Sequence, residues 1–141
     1  MGNIEIIRTT IFDAKATTGV STAQSVVGSD NVMVTIVGID SPDLTIKCQG
    51  SMGASLASTI LDGVPPVFST AQSVTNMWDY VAMYDLEDGA FVDGDTGVVF
   101  SGSADTRQFI INTEPLLWVS FQVTARSAGN VSVVMLAVNN N

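Results

Sequence analysis

Between Leu117 and Ala125 the chain alternates strictly. Leu117, Val119, Phe121, Val123 and Ala125 would fall on one face of an extended strand, and Trp118, Ser120, Gln122 and Thr124 on the other. One face reads as core and the other as wetter. Comparable short apolar segments, rich in Val, Ile, Thr and aromatic residues, recur along nearly the whole sequence. Clusters of Gly, Asp, Asn and Pro separate them. The pattern predicts strands at residues 4–12, 32–39, 44–49, 78–86, 97–101, 108–112, 117–126 and 130–138. These eight strands predict an all-β chain, a single-domain antiparallel β-sandwich of jelly-roll or Ig-like type.

Two connections stand out. Ser127-Ala128-Gly129 separates the last two apolar runs, and a short loop whose Gly can take positive φ predicts a tight hairpin between antiparallel neighbours. The segment from Gly50 to Ser69 breaks the strand pattern. Its small residues and Pro65-Pro66 predict one long surface loop over residues 50–69, with a helical turn near 54–61. Residues 32–37 are apolar on both faces apart from Thr35, as in a strand central to its sheet or covered by another subunit.

The hexapeptide Ser-Thr-Ala-Gln-Ser-Val occurs twice, from Ser21 to Val26 and from Ser69 to Val74, and a Ser-rich lead-in, Ser101 to Thr106, precedes another apolar segment. The flanks of the two copies match only in character. All three therefore read as polar approach segments whose hydroxyls satisfy backbone groups beside strands, with a faded duplication as the alternative for the two hexapeptides, and not as a binding motif.

Length adds that residues 1–141 fit one domain, with residues 1–30 partly an extended N-terminal arm. Charge changes the functional picture. With 14 acidic against 5 basic residues the net charge is -9, and the cations Arg8, Lys15, Lys47, Arg107 and Arg126 are scattered. Nucleic acid is not an expected partner, because binding it requires clustered cations that release phosphate counterions. An anionic membrane would repel the chain, and no apolar run approaches the ~20 residues of a membrane span. The opening residues show no signal-peptide pattern, so synthesis in a host cytoplasm is expected. Cys48, the only cysteine, alternates with Leu44 and Ile46 and reads as a small buried apolar residue.

The chain has no histidine. Ser-His-Asp and Cys-His catalysis and histidine-ligated zinc all need an imidazole, and one thiol cannot make a thiolate zinc site. No catalytic residue and no cofactor are expected. A carboxylate hydrolase using Asp85, Glu87, Asp93 or Asp95 would need two of them opposed across a cleft, which the spacing does not indicate. Asp85, Glu87, Asp88, Asp93 and Asp95 read first as a solvated acidic hairpin tip. Oxygen ligands on Gly-bent loops are also what calcium prefers, although the spacing is not that of an EF-hand. Trp78, Tyr80 and Tyr84 could stack on sugar rings, but aromatics at strand positions are more often core or interface anchors.

One resemblance adds to this reading. Gln49-Gly50-Ser51 closes a strand, and a variable insert leads to Trp78-Asp79-Tyr80-Val81-Ala82 and an acidic turn. Phe109-Ile110-Ile111-Asn112 follows, then the run from Leu117 to Ala125 and Ser127-Ala128-Gly129-Asn130-Val131-Ser132-Val133. From about Val32 onward this order resembles small β-sandwich modules in structural proteins of tailed-bacteriophage virions, found in head decoration or cement proteins, head fibres and tail appendages. The resemblance implies a non-enzymatic virion protein on the capsid exterior, a decoration protein binding the major capsid protein and neighbouring copies of itself, with homo-oligomerisation expected. Contact residues would come from the N-terminal arm and the long loop: Ile4, Ile6, Ile7, Met52, Leu56, Pro65, Pro66 and Phe68. A tail or fibre module binding host glycans through Trp78, Tyr80 and Tyr84, with or without calcium, is the alternative. The insert from Met52 to Val74 is longer than the minimal module.

Overall fold

The computed structural model describes residues 4–51 and 78–140. The expected loop over residues 50–69, its helical turn, the second hexapeptide copy and the contact candidates Met52, Leu56, Pro65, Pro66 and Phe68 lie outside the described residues, apart from Gly50 and Ser51.

Every regular element among the described residues is a strand. They are β1 (Ile4–Lys15), β2 (Gly19–Val20), β3 (Gln24–Ser25), β4 (Asn31–Ser51), β5 (Trp78–Val81), β6 (Met83–Asp85), β7 (Ala90–Val92), β8 (Val98–Ser101), β9 (Asp105–Asn112) and β10 (Trp118–Asn140). All pairings are antiparallel, and the strands join in one sheet along the path β1-β10-β4-β9-β6-β7. The short strands β2 and β3 add to β10, while β5 and β8 add to β4. The all-β antiparallel class is the one the apolar pattern predicts.

The frame is a ribbon of the two longest strands. Residues 32–39 and 44–49, expected as separate strands, are the two halves of β4. The runs 117–126 and 130–138 are likewise, within a residue or two, the two halves of β10. β4 and β10 pair from Trp118↔Ser51 to Ala137↔Val32. The expected hairpin at Ser127-Ala128-Gly129 is therefore a corner inside β10, and the runs it joins are consecutive halves of one strand instead of neighbours. Its physical cause lies in β4. Between the pairs Ala128↔Asp43 and Asn130↔Ile39, β10 spends Gly129 where β4 spends Asp40, Ser41 and Pro42. Asp40, Ser41 and Gly129 all have positive φ, so both strands turn together and their pairing resumes on the far side.

Even-numbered residues of both halves of β4 are buried: Val32, Val34, Ile36, Leu44, Ile46 and Cys48 are all at 2% exposure or less. They meet Phe109, Ile111, Val119, Phe121, Val123, Val131 and Val133 in one packed cluster. Apolar area removed from water on this scale, at ~25 cal/mol per Å², is the main favourable contribution to folding. β4 lies between β10 and β9, as its two-faced apolar character predicts.

The first hexapeptide copy is structural. The Ser21 hydroxyl accepts the Phe121 backbone N–H at 2.9 Å, and Gln24–Ser25 forms β3 beside Trp118 and Val119. Val26 drops into the core at 1% exposure.

Candidate interaction surface

The two ends of the sheet differ. β7 ends one side with three residues, whereas β1 ends the other with twelve and, among the described residues, pairs only with β10. From Ile4↔Asn140 to Thr10↔Val134 its register is one-to-one, and shifts follow between Thr10 and Phe12 and between Phe12 and Lys15. Bulges twist an edge away from unwanted partners, so only the second half of β1 carries that protection. The regular half exposes Ile4 (69%), Ile6 (64%) and Ile7 (40%). Glu5 and Arg8 place charge in this half, as water-facing edges normally do, while the three isoleucines beside them are left uncovered. Residues 4–12, expected both as a strand and as part of an extended N-terminal arm, form a strand of the sheet, with Ile4, Ile6 and Ile7 still uncovered.

The face of the sheet opposite the core carries a continuous row. Arg8 pairs with Leu136, Leu136 with Met33, Met33 with Ile110, Ile110 with Tyr84, and Tyr84 with Phe91, crossing all six strands of the path. Residues directly opposite in antiparallel strands share a face, so these six line one surface. The Tyr84 and Phe91 rings meet edge to face at 5.2 Å, and Phe91 is 70% exposed. Asn31, Val32, Met33, Ile110, Leu136 and Val138 line an open depression of about 250 Å³ in this face. The neighbouring row of Thr10, Val134, Thr35 and Gln108 is more polar, which bounds the apolar stripe on one side.

The acidic residues form two separate turns. Asp85 Oδ1 accepts the backbone N–H groups of Glu87 (2.9 Å) and Asp88 (3.4 Å), while its Oδ2 is held by the Arg107 guanidinium. Burial would raise the Asp85 carboxyl, but the Arg107 hydrogen bond, the two backbone N–H groups and the Arg107 charge outweigh it and hold it below the usual aspartate range. Asp93 Oδ1 accepts the N–H groups of Asp95 (2.8 Å) and Thr96 (3.3 Å). Among the described residues no three acidic, His or Cys side chains are gathered closely enough to hold a metal ion. The calcium alternative at Asp85, Glu87, Asp88, Asp93 and Asp95 finds no such grouping. Asp85 and Asp93 serve as turn caps.

The three aromatic candidates are not brought to one exposed platform. Trp78 is 1% exposed, packed with Ala23 and Trp118, and its Nε1 has no hydrogen-bond acceptor among the described residues. Tyr80 donates its hydroxyl to Gln122 Oε1 at 2.9 Å, and the Lys47 ammonium stands 4.7 Å from its ring centre. Burial, then the charges of Asp95 and Asp79, raise the Tyr80 phenol. Tyr84 belongs to the outer row with Phe91. Gln49, fully buried, donates to Ser120 Oγ at 2.9 Å. Cys48 is fully buried as expected, and burial alone pushes its thiol far above the ordinary range.

Met33, Ile110, Leu136 and Phe91 are functional candidates that sequence reasoning did not single out. Met33, Ile110 and Leu136 sit in apolar runs that look like core, and only the register shows them on the uncovered face. For Phe91 a signal existed: it stands as a lone aromatic between two acidic turns.

No protein-family model matches this sequence, and no curated protein matches it. Two solved structures share the fold. The SPBc2 prophage-derived protein YomS superposes with a TM-score of 0.65 at 12% identity, covering 99% of this chain and 97% of that one. The PBSX exported protein XepA superposes with a TM-score of 0.66 at 11% identity over 96% of this chain. Only 38% of XepA is covered, so this chain corresponds to a part of that protein.

Proposed function

We propose that this chain is a bacteriophage virion structural protein, a capsid decoration or cement protein that binds the outer face of the major capsid protein. The observation that carries the reading is the regular half of β1, a sheet edge unpaired among the described residues, with Ile4, Ile6 and Ile7 uncovered. Such an edge is a template for strand addition, in which main-chain hydrogen bonds supply affinity and alternate side chains supply register. Two proteins of prophage origin with the same fold support the placement in a phage. The sequence's lack of an imidazole base is consistent with a structural role.

The mechanism is thermodynamic. A protein that binds the assembled shell and not its separated subunits stabilises the shell by mass action. Edge pairing and apolar burial along residues 4–10 would bridge neighbouring capsid subunits. A net charge of -9 is harmless on an exterior that touches no nucleic acid.

Co-sedimentation with mature capsids of the encoding phage tests this. The chain is expected to pellet with capsids and raise their melting temperature. The double substitution Ile4→Lys, Ile6→Lys should abolish both effects while leaving the protein's own unfolding unchanged. A chain that does not pellet, or that binds without moving the shell's melting temperature, overturns the reading.

A further inference from the structure

The outer row is asymmetric in a way that supplies its own complement. Arg8 stands at one end, and the Tyr84–Phe91 aromatic pair at the other. Next to Phe91 lies the turn carrying Glu87 and Asp88; the Asp88 side chain is 69% exposed, with its Oδ2 4.0 Å from the Arg107 guanidinium. Leu136, Met33 and Ile110 lie between.

We infer that this face is the interface of a two-fold dimer of the chain, with the two-fold axis parallel to the strands. That axis reverses the row of one copy over the other. Arg8 then faces the second copy's Phe91, Leu136 faces its Tyr84, and Met33 faces its Ile110. A guanidinium over an exposed ring makes a cation–π contact, and the acidic turn beside that ring adds opposite charge. Sheets stacked face to face pack about 10 Å apart with their strands aligned to within about 30°. The depression of about 250 Å³ is roomy enough for an aromatic ring, since ~150 Å³ holds a benzene. A two-fold interface uses the same patch on both subunits, and this patch offers both halves of each contact. The β1 edges stay free, at opposite sides of the dimer. The inference stands without the capsid reading, because it concerns the purified protein alone.

Cysteine cross-linking of the purified chain, joined to sedimentation equilibrium, tests it. Arg8→Cys with Phe91→Cys should be joined between copies by a bis-maleimide of about 10 Å reach, the spacing of stacked sheets, neither single variant should be, and buried Cys48 should not compete. Phe91→Asp, at a site 70% exposed, should keep its unfolding transition and weaken the dimer at least tenfold. A monomer at hundreds of micromolar overturns the inference. So does a dimer that cross-links through Ile6→Cys alone, since that marks edge-to-edge pairing of two β1 strands.

Discussion

Gly129 of β10 rests on Pro42 of β4 so closely that a Cβ at position 129 would stand 2.5 Å from the Pro42 Cα and 2.6 Å from the Ile39 carbonyl oxygen. Its φ of +73° is in the left-handed region. Both facts come from the same corner, where the ribbon of β4 and β10 turns without losing its pairing. Gly129→Ala should therefore cost about 3 kcal/mol, combining backbone strain with a backbone clash. Gly102, at φ +105° with nothing within 4 Å of a Cβ, carries strain alone, and Gly102→Ala should cost about 1 kcal/mol. Urea unfolding of the two variants checks this. Equal losses would remove the close approach to Pro42 as a cause.

The same corner shows what a sequence can and cannot reveal. Period-two alternation located most of the strands, because which side of a strand meets the core is a property of a few consecutive residues. Cys48 and the central character of residues 32–37 were legible for that reason. Ser127-Ala128-Gly129 misled because a Gly with positive φ serves a hairpin and a corner equally well. The choice is made by Asp40-Ser41-Pro42, more than 80 positions earlier in the chain. The outer row was hidden for a related cause. Its six residues come from six strands, and only the register, not local pattern, brings Arg8, Met33 and Phe91 into one line. The Asp85–Arg107 pair likewise joins residues on different strands.

Calcium should not bind the acidic turns. Asp85 is engaged by Arg107 and two backbone N–H groups, and Asp93 by two more. A cation would have to displace those contacts. Thermal unfolding in millimolar calcium and in excess chelator should agree within about 1 °C, since a ligand that binds neither state shifts nothing. A calcium-dependent rise of several degrees would show that these carboxylates can rearrange into a site.

Cys48 should be inert while the protein is folded. Its side chain is fully buried, and burial holds the thiol in its neutral form, whereas the thiolate is the reactive species. A thiol reagent at pH 8 should label the native protein no faster than it unfolds, and label it completely in denaturant. Cys48→Ser places a hydroxyl among Ile46, Phe121 and their neighbours and should cost about 2 kcal/mol. Rapid native labelling would mean that the core opens locally near the C-terminal end of β4.

Asp85 and Arg107 should give the fold a measurable acid sensitivity. Arg107 is 20% exposed and Asp85 1%, so the pair is only partly screened by water. The Asp85 carboxyl is held below the usual aspartate value, so the folded state takes up its proton less readily than the unfolded chain. The stabilisation is then fully present above the unfolded value of about 3.9 and is lost as the pH falls through the lower folded value. Asp85→Asn removes the charge and keeps the shape. At pH 7 it should cost about 2 kcal/mol, reduced from the larger losses seen for fully buried pairs because Arg107 can still reach water. Below pH 4 the difference between wild type and variant should shrink, because the unfolded wild-type chain takes up the Asp85 proton there while the folded state still resists it, and at lower pH the folded carboxyl is neutralised too. Urea unfolding of both proteins from pH 7 down to pH 2 checks the sign. A difference that stays constant over that range would show that the turn's hydrogen bonds, and not the charge, are what Asp85 contributes.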